Sequence, residues 1–253
     1  GVLVMGKYVP ALRGLGMLLG NEPALEPAAQ FYQRMLSRES EHLLDLASRY
    51  IAEHSLEEFY EAVFLPALQL AEEDRHNGAL ADERQEFIAE SGRDLIEELE
   101  RGDDRRAEET ARTSGPPILG FAARDDADEL VARMLAHLLR RSGHEVDVVP
   151  RGTDLAHVFE HVRENETPVV FVSALPPSAL LAARQMCRRL RGHRPDLTVL
   201  VGVWSPMADV EELARRLGPG PAVSVATSLK AAVEQLTRIP QPKPADWVAS
   251  AAK

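Results

Sequence analysis

Residues 118–149 read ILGFAARDDADELVARMLAHLLRRSGHEVDVV, and they carry the fold class. Ile118–Ala123 is a short apolar run of strand length, Asp126–Ser142 has helical periodicity, and Glu145–Val149 is a second strand. The alternation continues outward. Asp154–Asn165 reads as a helix, Pro168–Val172 as a strand, Ser178–Gly192 as a helix and Thr198–Val203 as a strand. Ala208–Leu217, Ala222–Val225 and Ser228–Thr237 follow as helix, strand and helix. Strands that alternate regularly with helices form a parallel sheet covered on both faces, so an α/β fold with a five-stranded, doubly wound, flavodoxin/Rossmann-like sheet is expected.

Upstream of this half, residues 101–117 (RGDDRRAEETARTSGPP) lack apolar periodicity and end in Gly-Pro-Pro, which marks a linker. From Pro27 to Arg101 the period is helical. One helix is expected to carry Phe31, Met35, Leu43, Leu46 and Tyr50. A second starts at Ser55, with Glu58 completing a capping box, and Pro66 should kink it. A third, beyond Gly78 and Asp82, carries Phe87, Ile88, Leu95, Ile96 and Leu99. These segments make an N-terminal helical bundle of about four helices. The expected divisions are an apolar arm at 1–23, the helical cap at 24–101, the linker at 102–116, the α/β domain at 117–238 and a Pro-rich tail at 239–253.

Composition narrows the function. The chain has 253 residues, 45% hydrophobic and 27% charged, which is ordinary globular composition and excludes wholesale disorder. Its 29 Lys and Arg against 40 Asp and Glu give a net charge of −11, unsuited to wrapping a nucleic-acid backbone. The acidity sits in residues 1–116, with 12 basic and 24 acidic residues, while residues 117–253 have 17 and 16. A single cysteine, Cys187, excludes a disulfide framework and suits a reducing compartment. The apolar N-terminal stretch is broken by Lys7, Pro10 and Arg13, so it is not an intact spanning helix.

Ligands of open α/β sheets bind beyond the carboxyl ends of the strands, where the strand order reverses. With order 2-1-3-4-5, the loops after strands one, three and four line that crevice. The first holds Arg124, Asp125, Asp126, Asp128 and Glu129, the second Ser173, Leu175 and Ser178, and the third Gly202 and Trp204. These ten are the candidate ligand-binding residues; Asp125 and Asp126 also suit the N-cap of the following helix.

Several motifs resemble the cobalamin-binding module of methionine synthase and of light-sensing MerR-type repressors, a helical cap followed by a flavodoxin-like domain. Leu65-Pro66-Ala67-Leu68 through Gly78 matches the cap's Leu-Pro-Ala-Leu…Gly pattern. Ser173-x-Leu175 matches the family's S-x-L, and Gly202 the first glycine of its G-G, where small residues make room for the nucleotide tail. The resemblance implies cobalamin as the possible cofactor, but the ligand motif departs from the pattern. D-x-H-x-x-G falls on Asp126 to Val131, so Asp128 replaces the cobalt-ligating histidine and Val131 the glycine. Val203 replaces the second glycine of G-G, and the repressors' W…E-H falls on Arg75, Gln85 and Glu86. Carboxylate is a poor substitute for imidazole as an axial cobalt ligand.

A second resemblance runs along the whole chain. VLVMGKYVPALRGLGMLLGNEPALEP and FYQRML are similar to the segment after the last transmembrane helix of autoinducer-2 exporter-type permeases, some of which carry a long cytoplasmic C-terminal extension. ARDDADELVARMLAHLLRRSGHEV, VSALPPSALLAARQMCRRLR and VGVW continue the likeness. It implies a cytoplasmic region tethered at the inner membrane, with the membrane-embedded permease as partner and transport chemistry elsewhere.

Other constellations carry less. His157 to His161 spells H-x-x-E-H, but Leu155, Val158, Phe159 and Val162 define that helix's buried side and turn the histidines to solvent, with no third zinc ligand near. Cys187 sits at core spacing between Ala183 and Leu190. Arg184, Arg188, Arg189, Arg191 and Arg194 form a basic cluster near a helix C-terminus, either a solvated face or a docking surface for an acidic partner. No G-x-S-x-G or P-loop is present. The expected function is a non-catalytic sensory or regulatory module that binds an unknown small ligand or a partner between cap and sheet, in a chain able to form a homo-oligomer. Corrinoid binding with a non-standard lower ligand is the alternative. Metal-assisted hydrolysis at the acidic loop, or a pure scaffold without a cavity, are further alternatives.

Overall fold

The computed structural model describes residues 26–37, 40–104, 117–154, 156, 158–159, 169–177, 179–195, 197–205, 208–217 and 223–239. The N-terminal arm, most of the linker, the Pro-rich tail, Ser178, and the two histidines of H-x-x-E-H lie outside them.

The first cap segment is two helices rather than one. α1 spans Pro27–Leu36 and α2 spans Ser40–Glu53. Pro27 suits the first helical position, where its missing N–H is not needed. The polar stretch from Ser37 to His42 has no apolar residue to hold a continuous helix on the core, and the Ser37 hydroxyl turns back to the Arg34 carbonyl at 2.9 Å.

Ser55 does cap the next helix, accepting from the Glu58 N–H at 3.0 Å. The reciprocal half of the expected box is altered: the Glu58 carboxylate accepts from the Ser55 hydroxyl at 3.3 Å. The α3 turn, Leu56–Phe59, runs through a π-helical turn, Tyr60–Phe64, into α4, Leu65–His76. A simple proline kink is thus replaced by a wide turn, which absorbs the hydrogen bond that Pro66 cannot donate. Gly78, at φ +69°, ends this run, and α5 spans Asp82–Asp104. α5 therefore continues three residues into the expected linker, because Asp103 is anchored by His137 at 3.0 Å and Arg141 at 2.5 Å.

In the α/β half, β1 is Ile118–Ala122, α6 Asp126–Arg141, β2 Val146–Val149 and β3 Val169–Ala174. α7 is Leu180–His193, β4 Thr198–Val203, α8 Val210–Leu217, β5 Val223–Ala226 and α9 Leu229–Arg238. All four pairings are parallel and the order is β2-β1-β3-β4-β5, as expected from the alternation. The register sets Ala122 beside Ser173 and Ser173 beside Gly202, gathering the strand ends into one place. Val158 and Phe159 are buried, in agreement with the expected apolar face of their segment.

Strand side chains alternate between two cores. Ile118, Val169, Phe171 and Leu200 face α6, α9 and the cap, and join Phe31, Phe59, Tyr60, Phe64 and Leu68 in one apolar cluster. Leu119, Phe121, Val170, Val172, Val199 and Val201 face the other way, under α7 and α8, with Cys187 3% exposed among them. One continuous core therefore binds cap to sheet. At its centre Gly92 of α5 admits the Leu130 side chain of α6: a Cβ there would lie 2.8 Å from it.

Candidate ligand site between cap and strand ends

The site begins at the first turn of α6. Asp125 is its N-cap, accepting from the Asp128 N–H at 3.4 Å, as the aspartate-rich loop suggested. Asp128 returns the bond, but does more. Its Oδ2 accepts from the Arg124 and Asp125 N–H groups at 2.8 and 3.4 Å, and its Oδ1 accepts from the Leu175 N–H at 2.6 Å. One carboxylate thus ties the loop after β1 to the loop after β3. It is fully buried. Burial, with the Asp125 charge beside it, pushes its pKa up to about 7 against the lowering effect of those N–H donors.

A second tie crosses β3 and β4. The Trp204 indole Nε1 donates to Ser173 Oγ at 2.8 Å, and both residues are 0% exposed. The ring lies over Gly202, where a Cβ would meet it at 2.1 Å. From the cap, Gln69 Nε2 donates to the Trp204 carbonyl at 2.8 Å.

Above these ties lies a cavity of about 270 Å³ between α4, α5 and the start of α6. Leu68, Ala71, Leu80, Ile88 and Leu130 are among its apolar lining, and Arg75, Arg124, Asp125, Asp126 and Arg151 are among its polar lining. Its volume is at the lower end of the ~300–1,000 Å³ of small-molecule sites. Ion pairs close the seam. Arg75 bridges Glu72 of the cap to Asp125 at 3.0 Å, and Asp126 joins Arg93 of α5 at 2.5 Å and Arg151 at 3.1 Å. Glu129 is buried, which alone would raise its pKa; the Arg133 hydrogen bond, the Arg151 N–H and the charges of Arg133 and Arg93 outweigh this and lower it. The Arg124 side chain, exposed at the mouth, makes no hydrogen bond or ion pair with any described residue.

The ten sequence candidates therefore separate into layers. Arg124, Asp125 and Asp126 line the cavity. Asp128, Glu129, Ser173, Leu175 and Trp204 are buried, and Gly202 is covered by the indole; Ser178 is outside the described residues. Among the described residues the first loop lines the cavity and the second and third do not, and the third loop's aromatic turns inward. Arg151 was missed, lying after β2, a loop not assigned to the crevice. Among the cap residues, Arg75 and Gln85 were placed only by their match to the repressor pattern. Among the described residues no group of three or more His, Cys, Asp and Glu is arranged to hold a metal ion, and no helix is long and apolar enough to cross a membrane.

Residues 116–236 match the family model of the B12 binding domain. Among solved structures, the monomethylamine corrinoid protein of Methanosarcina barkeri is similar at TM-score 0.59 and 12% identity, over 82% of this chain and 95% of that one. A cobalamin-binding protein from Desulfitobacterium hafniense matches at TM-score 0.41 and 18% identity, over 83% of this chain and 96% of that one. The methanol:cobalamin methyltransferase complex of M. barkeri matches at 0.39 and 14%, over 91% of each chain. No curated protein matches the chain significantly. The α/β half is thus similar to a B12 binding domain, and cap and sheet together share the fold of the monomethylamine corrinoid protein; nothing in these comparisons supports a permease.

The residues do not fit cobalamin with its nucleotide tail seated. The space over Gly202, where the resemblance puts the tail, is filled by Trp204. At the position of the cobalt-ligating histidine, Asp128 is fully buried and accepts from three backbone N–H groups.

Proposed function

We propose that this chain is a binding module of the cobalamin-binding type, without chemistry of its own, that takes a compact ligand in the cavity between cap and strand ends. The observation that carries this is the cavity itself: apolar side chains of cap and α6 beside Arg124, bordered by cap-to-α6 ion pairs. Such a ligand would bear on both halves at once, so its occupancy would be read as cap position. Arg124, Asp125 and Asp126 would contact it directly, while Asp128, Ser173, Leu175 and Trp204 would hold the strand-end loops in place from within the core.

A corrinoid carrier is the second reading, and the family match over residues 116–236 favours it. That match supports corrinoid recognition more directly than it supports a regulatory role on a permease. The permease attachment rests on the likeness of sequence strings along the chain, and the upstream reading frame tests it: transmembrane helices there support a tethered cytoplasmic module, and their absence removes that partner.

One experiment separates the two ligand readings. The protein is incubated with hydroxocobalamin or with cobinamide, which lacks the nucleotide, and then gel-filtered. A compact-ligand site predicts colourless protein in both cases, with the wild-type Trp204 in place. Retained visible absorbance overturns it in favour of the corrinoid carrier.

A further inference from the structure

At the opposite end of the sheet from the cap lies a second cavity, of about 400 Å³, between α7, the end of α8 and the start of β5. Its floor includes Cys187, Leu217 and Val223, and three arginines of α7 edge it: Arg184, Arg188 and Arg191. None of the described residues that line it is acidic, and α7 itself contains no Asp or Glu.

Arg184 and Arg188 differ from the arginines that close the seam between cap and α6. Arg75, Arg93, Arg133, Arg140, Arg141 and Arg151 all close on carboxylates. Arg184 and Arg188 are exposed and make no hydrogen bond or ion pair with any described residue. Spaced four apart, they are neighbours of like charge on one helix face, an arrangement that weakens a helix by about 0.2–0.5 kcal/mol per pair. The C-terminal dipole of α7 favours cations only in its last turn, and Arg184 lies more than two turns back. On the same face, three residues before Arg184, Leu181 is 66% exposed, one of only two exposed large hydrophobic residues among those described. A solvated basic stripe explains the charges, but not an exposed leucine in line with them or an apolar cavity beside them.

We infer that this face binds an amphipathic anion, its carboxylate or phosphate head held by Arg184 and Arg188 and its apolar part resting on Leu181 and in the cavity over Cys187, Leu217 and Val223. Arginine's planar fork matches either head group. The site is independent of the cap cavity and of whatever binds there.

Calorimetric titration of the intact chain with decyl phosphate, alongside decanol as the uncharged control, tests this. Decyl phosphate is expected to bind saturably and decanol not. Changing Arg184→Gln and Arg188→Gln together should weaken binding by at least about tenfold, equivalent to about 1.4 kcal/mol. Arg124→Gln, at the cap cavity, should leave it unchanged. Because both arginines are exposed, the double variant should keep the wild-type melting curve, and a melt confirms that the loss is local. A second arm, co-sedimentation with phosphatidylcholine vesicles with and without phosphatidylglycerol, identifies the source: retention on the anionic vesicles, lost in the double variant, marks a lipid head group, and titration without retention marks a free amphiphile. No binding in either arm, equal binding of decanol, or binding that survives the double substitution overturns the proposal.

Discussion

The indole of Trp204 donates to Ser173 Oγ at 2.8 Å while covering Gly202, so the positions that match the family's S-x-L and G-G are joined by the protein's own aromatic ring. Trp204 is also where the cap touches the sheet, through Gln69. This part of the strand ends is therefore a piece of the core.

Trp204→Ala should cost about 3–5 kcal/mol, the range for emptying a large buried aromatic site. Ser173→Ala should cost about 1–3 kcal/mol by leaving the indole N–H without its acceptor. Urea denaturation checks both, and a loss below half a kilocalorie for either would show that the ring is not packed as described. Gly202→Ala should be comparably damaging, because its methyl would meet the indole at 2.1 Å.

Asp128 makes a second, pH-dependent prediction. Burial raises its pKa from the ordinary 3.8 to about 7 on folding, so between those values the folded state holds a proton that the unfolded chain has lost. Its contribution to stability is therefore greatest below about pH 4 and falls as pH rises towards 7. Asp128→Asn, which cannot ionise, should flatten the curve over that range. Asp128→His should not create a metal ligand. It should destabilise by about 3 kcal/mol, since the buried Leu175 N–H and the Arg124 N–H lose their carboxyl acceptor.

His137 predicts the opposite slope. Its Nδ1 accepts from the buried Tyr60 hydroxyl at 2.8 Å, and its Nε2 donates to Asp103 at 3.0 Å, which requires the neutral ring protonated on Nε2. Burial lowers its pKa below the usual 6.5, outweighing the Asp103 carboxylate that favours the charged form. Stability from this group is present above about pH 6.5 and is lost as pH falls below it, because the unfolded chain takes up the proton first. Denaturation of His137→Gln at pH 5.5 and 7.5 should show a smaller difference than wild type; an equal difference would place the acid sensitivity elsewhere.

Glu61, on the π turn, caps α9 from across the cap–sheet boundary, its Oε2 accepting from the Leu229 N–H at 2.8 Å and the Lys230 N–H at 3.3 Å. Glu61→Ala should cost about 1 kcal/mol. Amide exchange at Leu229 and Lys230 should speed up while β3, in the sheet centre, stays protected. Uniform acceleration across the sheet would mean that the cap does not act locally.

The alternation of short apolar runs with amphipathic helices determined the parallel five-stranded order, and local chemistry determined the Asp125 cap and the inward position of Cys187. These are short-range properties: period, cap residues and turn residues act within a few positions of themselves. The break between α1 and α2 did not follow from the apolar period, which runs on from Phe31 to Tyr50, and the π turn before Pro66 depended on how the wide turn packs Tyr60 and Phe64. The use of the loops was decided only by contacts between distant segments. Asp128 meets Leu175 47 residues away, Trp204 meets Ser173 31 away, and Gln69 meets Trp204 135 away. A tryptophan after a strand can line a crevice or roof a glycine with equal local propensity. Here the neighbouring hydroxyl, the missing Cβ of Gly202 and the apolar core closing over it favour the second, since burying the ring with its N–H satisfied removes more apolar surface from water than leaving it in the crevice.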